Sequence, residues 1–101
     1  MIKTNTTAKR QPSKMILKFL IKNRGKYFPG SVIKSELGLD NNATYTTLYR
    51  LKLQYDLVKS AKKELVPEGQ RTNRNYDVVY WKINEKPKQI AFAERWAYGS
   101  Y

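Results

Sequence analysis

Residues 37–58 read LGLDNNATYTTLYRLKLQYDLV, and the fold turns on the periodicity of this stretch. Leu48, Leu51 and Tyr55 recur with Thr44 at helical spacing, which predicts a helix over about 42–55. Asp40 or Asn41 can cap it, because a short side-chain oxygen accepts from amides that a first helical turn leaves unpaired. Thr44, Leu48, Leu51 and Tyr55 share one face, flanked by Thr47 and Lys52, and that face must be buried. The opposite face carries Asn42, Thr46, Tyr49, Arg50 and Leu53, with Tyr45 at the border. No acid lies between Asn41 and Gln54. A face that only meets solvent draws more on Lys and Glu. Asn, Thr, Tyr and Arg instead hydrogen-bond to, or stack on, base edges and phosphates. Asn and Thr are also common near helix starts, so residue type alone is a modest signal.

Upstream, residues 1–11 are polar, with Lys3, Lys9 and Arg10 among threonines. They read as a mobile basic arm that touches a polyanion, or as an end without a role. A first helix is expected from about Ser13, as N-cap, to Asn23. Ile16, Leu17, Phe19, Leu20 and Ile21 form its apolar face, and Lys14, Lys18 and Lys22 stack as a stripe at four-residue spacing. Gly25 suits a left-handed stop. Tyr27-Phe28 reads as a short extended piece, and a second helix over about Pro29–Leu37 turns Val32, Ile33 and Leu37 inward. Gly38 ends it, and Leu39 returns to the core.

Downstream, 57-LVKSAKK-63 and 76-YDVVYWKI-83 read as two strands, rich in β-branched and aromatic residues. The loop between them, 64-ELVPEGQRTNRN-75, carries Arg71 and Arg74 and no acid after Glu68. Trp81, mid-strand beside valines, is expected in the core rather than on a ligand. The segment 85–101 predicts a helix over about Pro87–Tyr98. Its Ile90, Ala93 and Ala97 face one side, and Phe92 and Trp96 project from another. Two apolar faces on one helix leave a surplus, to be covered by a second copy in a homodimer or by the tail wrapping its own core.

The chain has 101 residues, 41% of them hydrophobic, enough for one domain with one modest core. Twenty basic residues against eight acidic give a net charge of +12. The stretch from Met1 to Ser35 holds nine bases and no acid. Such a balance favours a polyanionic partner, since neutralised phosphates release counterions. There is no Cys and no His, so the usual general base, nucleophile and zinc ligands are missing. The carboxylates are scattered singly. We therefore expect no enzyme, metal or cofactor. No apolar run spans a bilayer, and residues 1–12 lack the apolar centre of a secretory signal. The expected place is the cytoplasm, at the nucleoid, or the host-cell cytoplasm for a viral protein.

The order helix, extended piece, helix, turn, helix, hairpin over 12–84 resembles the winged helix-turn-helix superfamily. Phe28, Val32-Ile33 and Leu37-Gly38-Leu39 look like its second-helix half. Thr44, Leu48, Leu51 and Leu57-Val58 look like its third helix leading into the first wing strand. The implied fold is α+β and mostly α: three helices and a two-stranded wing hairpin, preceded by the basic arm 1–11 and followed by the helix and tail 85–101. Asp56 stands where many members place Gly. Tyr49 and 81-WKI-83 also resemble the Z-DNA-binding winged helices, but Tyr45 stands where those place Asn, and their wing prolines are absent here.

The resemblance implies a double-stranded DNA partner, with the third helix in the major groove. Asn41, Asn42, Tyr45, Thr46, Tyr49 and Arg50 are then the candidate readers, and Asn42 and Arg50 could pair bidentately with adenine and guanine. Lys62, Lys63, Arg71, Asn73 and Arg74 would reach phosphates or the minor groove from the wing, with Lys34, Lys9 and Arg10 adding backbone contacts. The function so implied is a sequence-specific regulator of transcription. Two other functions stay open: a nonspecific architectural or replication protein, and a protein-interaction module of the kind a virus or phage deploys.

Overall fold

Pro12 has no amide hydrogen to leave unpaired, and the first helix begins on it rather than on a Ser13 cap. The structure, a computed structural model, describes residues 11–99; Lys9 and Arg10 lie outside them. Helix α1 is Pro12–Lys22, with Gln11 at the N-cap position and no side-chain cap. Asn23 caps its C-terminus, and its Nδ2 donates to the Phe19 carbonyl at 2.8 Å. Gly25 takes the left-handed conformation, at φ 85°, two residues beyond.

The extended piece expected at Tyr27-Phe28 is strand β1, Phe28–Pro29. Pro29 ends the strand and is the N-cap of α2, which runs Gly30–Leu37 rather than from Pro29. Gly38, at φ 64°, terminates it in the left-handed region. Asp40 caps α3, Asn41–Leu53, by accepting from the Ala43 amide at 2.7 Å. Such a cap contributes about 1 kcal/mol. Helix α3 stops short of Tyr55 because the chain turns left-handed at Asp56, φ 56°. Tyr55 therefore leaves the buried face it was expected to join and is 39% exposed.

Strands β2, Val58–Lys62, and β3, Val79–Ile83, are shorter than expected. Their antiparallel pairing sets Ser60 opposite Trp81. On the other side of β3, Phe28 pairs with Trp81 and Pro29 with Tyr80. The sheet is thus three-stranded, in the order β1-β3-β2, and not the two-stranded hairpin of the sequence reading. Residues 63–78 form a long loop with two short 3-10 turns, Lys63–Leu65 and Glu68–Gln70. Helix α4 occupies Pro87–Tyr98, as the periodicity predicts. The described residues are therefore α+β: four α-helices and a small antiparallel sheet.

The core is where α1, α3 and the sheet meet. Ile16, Leu17, Leu20, Leu48, Leu51 and Ile83 are fully buried there, each worth roughly 1.5–3 kcal/mol over exposure. Thr44 can be buried among them because its hydroxyl donates back to the Asp40 carbonyl at 2.8 Å. Ala93 and Ala97 bring α4 onto this core. Buried Asn84 clasps the far end: its Nδ2 donates to the Asp56 carbonyl at 2.7 Å, and its Oδ1 accepts from the Lys86 amide at 3.1 Å. The same side chain thus holds the left-handed turn after α3 and the approach to α4. No helix among the described residues is long and apolar enough to cross a membrane.

Candidate nucleic-acid interface

Burial of Thr44, Thr47, Leu48 and Leu51 turns the other face of α3 outward. Asn41, Asn42, Thr46, Tyr49, Arg50 and Leu53 are all exposed on it. Thr46 Oγ1 lies 3.4 Å from Asn42 Oδ1 one turn back. Arg50 makes no hydrogen bond or ion pair among the described residues, so its five donors remain available. Tyr49 is 46% exposed, and its ring stands edge-on to Trp81, with centroids 5.1 Å apart at 89°.

Tyr45 sits differently. Its ring lies over Gly30, so that a Cβ there would come within 2.4 Å of the Tyr45 hydroxyl. Burial, with Asp77 and Tyr49 adding, pushes the phenol above its ordinary value of 10.0. Tyr45 is thus a protonated, half-buried wall rather than a freely extended reader. Trp81 is 1% exposed, as expected of a core residue, but its Nε1 has no acceptor among the described residues. An unpaired buried donor costs about 1–3 kcal/mol.

The loop between β2 and β3 is braced by a carboxylate. Asp77, 3% exposed, accepts from Ser31 Oγ at 2.7 Å, from Arg74 Nε at 2.9 Å and from Thr72 Oγ1. Burial works against its charge, but hydrogen bonds from Thr72, Ser31 and Arg74, helped by the Arg74 charge, hold its carboxyl below the ordinary value. The loop is further tied down by the Tyr27 amide, which donates to Gln70 Oε1 at 2.8 Å, and by the Thr72 amide, which donates to the Tyr80 hydroxyl at 3.0 Å.

These ties change the standing of the basic loop residues. Arg74 does meet an acid, Asp77, which lies outside the stretch 64–75. Arg71 spends Nε on the Val66 carbonyl at 2.8 Å and Nη2 on the Glu64 carbonyl at 3.3 Å. Lys63 Nζ donates to the Arg74 carbonyl at 3.1 Å. Lys62 and Asn73 are exposed, with no such tie among the described residues. Lys62, Lys63, Glu64, Arg71, Val78 and Val79 line a groove of about 430 Å³. Lys34 is half-buried in the last turn of α2.

Sequence reasoning missed Ser31, Asp77 and Gly30. Only Gly30 left a trace, as a glycine where a helix starts.

The surplus faces of α4 are partly used within the chain. Trp96 stands edge-on to Tyr55, with centroids 5.0 Å apart, and Phe92, 45% exposed, lies 6.1 Å from Trp96. Lys18, from the expected basic stripe, rests 5.5 Å from the Tyr98 ring centroid. The described residues hold no cluster of acidic, His or Cys side chains that could bind a metal ion. Compared with known proteins, the chain matches no family model, no curated protein and no solved structure.

Proposed function

We propose that this chain is a winged helix-turn-helix protein that binds double-stranded DNA sequence-specifically and regulates transcription. The observation that carries it is the outward face of α3. Asn42, Thr46, Tyr49 and Arg50 are exposed together on one acid-free helix face, in a chain of net charge +12. In the major groove Arg50 and Asn42 read base edges, and Tyr49 meets a methyl group or a phosphate. The residues 63–78 act as the wing. Lys62 and Asn73 contact the backbone there, while Arg71 and Arg74 chiefly hold the wing's shape. The element order, with β1 between the first two helices and paired antiparallel to β3, supports the winged-helix reading.

The test is selection from randomised duplex DNA at about physiological salt, where nonspecific binding is weak. Enrichment of one motif supports the regulator. Tight low-salt binding without enrichment supports the architectural or replication protein instead. A protein-contact role has one observation in its favour: Leu53 is 73% exposed at the end of α3, and Phe92 remains exposed beside Trp96. Absence of DNA binding at either salt would favour that role. A second copy could cover Phe92, and a palindromic motif in the selection would report a two-fold dimer.

A further inference from the structure

Beside the exposed α3 face lies a narrow cleft of about 130 Å³, lined by Tyr45, Tyr49, Tyr76, Asp77, Val78 and Trp81, with Pro29, Gly30 and Val79 completing it. Three of the eight large apolar side chains that stand exposed among the described residues, Tyr49, Tyr76 and Val78, are at this one place. Tyr76 is 69% exposed. None of the three belongs to the core cluster.

We propose that this cleft takes a single unstacked nucleobase of the bound DNA. The inference rests on the DNA-binding reading above and names what that reading leaves unexplained. Three features select this occupant. The volume is far below that of a drug-sized pocket and suits one flat ring. The lining includes three tyrosines, of which Tyr49 and Tyr76 are exposed, and on such rings any base can stack. A cation lies close: the cleft shares Val78 and Val79 with the groove of Lys62, Lys63, Glu64 and Arg71, where the exposed Lys62 supplies the countercharge for the phosphate joined to such a base. A cationic guest fits less well. The Asp77 charge is already met by Arg74, and Arg74 also lies 5.7 Å from the Tyr76 ring centroid. Extruding a base from a duplex is costly and least so where it is already unpaired, so DNA with a bulge, mismatch or melted segment is the preferred form.

The experiment compares three duplexes of one sequence with the full chain: fully matched, with one bulged thymidine, and with a bulged abasic nucleotide at the same place. The abasic bulge keeps the backbone distortion and removes the ring. The base-bulged duplex is expected to bind roughly tenfold more tightly than the abasic one, the size of one stacking contact. Tyr76→Ala is expected to bring that ratio near one, while Tyr76→Phe keeps it. The exposed position of Tyr76 makes both variants safe for folding. Equal binding to the three duplexes would overturn the cleft proposal and leave the DNA reading intact. A ratio unchanged by Tyr76→Ala would also overturn it, by placing the base elsewhere. Failure to bind any of the three, at low as well as at physiological salt, overturns both.

Discussion

The Tyr45 ring fills the space that a side chain on Gly30 would need, with a Cβ there only 2.4 Å from the Tyr45 hydroxyl and from Cε1. This pair joins the start of α2 to the outward side of α3. Overlap of that kind costs about 1–3 kcal/mol, against a gain of roughly 0.5–1 kcal/mol for replacing glycine by alanine in a helix. Gly30→Ala is expected to destabilise the protein by up to about 2 kcal/mol. In a Tyr45→Ala background the same change should stabilise it by about 0.5 kcal/mol. Urea unfolding of the four proteins measures this, and the same effect in both backgrounds would refute the contact.

Asp77 should make stability depend on acid. Its carboxyl is held below the ordinary 3.8 in the folded chain. The stabilisation is therefore complete above the unfolded value and is lost as pH falls through the lower, folded one. Asp77→Asn is expected to cost about 2 kcal/mol at neutral pH, the scale of a hydrogen bond to a charged group. The gap between wild type and variant should narrow below about pH 3.8. Urea midpoints between neutral pH and the acid limit of folding would show it. A constant gap would mean that the charge does not matter.

Asp56 holds a left-handed backbone at φ 56°, a conformation that costs a side chain with a Cβ roughly 1–2 kcal/mol and a β-branched one more. Asp56→Val is expected to be at least about 1 kcal/mol less stable than Asp56→Gly. Thermal unfolding of the two variants decides it; equal midpoints would contradict the assigned turn.

The cap at the start of α3 supports both core and outward face. Asp40→Ala removes the acceptor of the Ala43 amide and should cost about 1 kcal/mol, while Asp40→Asn or Asp40→Ser recovers most of it. A loss that Ser fails to recover would point to the Asp40 charge rather than to the hydrogen bond.

Reading and holding DNA should separate by residue. Arg50→Ala is expected to relax sequence preference, at about 1–3 kcal/mol for a good base contact. Lys62→Ala should weaken all duplexes alike and reduce the salt slope by about one. Arg71→Ala, by releasing the Val66 and Glu64 carbonyls, should instead lower stability. Binding isotherms at several salt concentrations, beside melting curves, distinguish the three. A Lys62→Ala protein with unchanged salt slope would remove Lys62 from the phosphate contacts.

Local patterns were enough for the helices and for some of their ends, though α1 and α2 begin on other residues than expected and α3 stops at Leu53. Periodicity alone marks α3 and α4, and Gly38 and Asp40 mark the boundary between α2 and α3, because capping and left-handed stops involve neighbours in the chain. The exposed face of α3 was legible for the same reason, since one face of a helix implies the other. Strand β1 was legible only as an extended piece at Tyr27-Phe28; its place in the sheet was not, because Phe28 pairs with Trp81, far along the chain. Tyr55 kept helical spacing but lost its buried place once Asp56 turned the backbone. The loop's interior was equally invisible. Ser31 reaches Asp77 across 46 positions, and Arg71 turns inward to carbonyls that sequence leaves unspecified. The sequence by itself therefore determined the helices, the charge and the face that α3 offers. Only the tertiary structure decided which cations stay available and where Tyr45, Tyr49, Tyr76 and Trp81 converge, because those outcomes depend on contacts between segments whose separation no local period encodes.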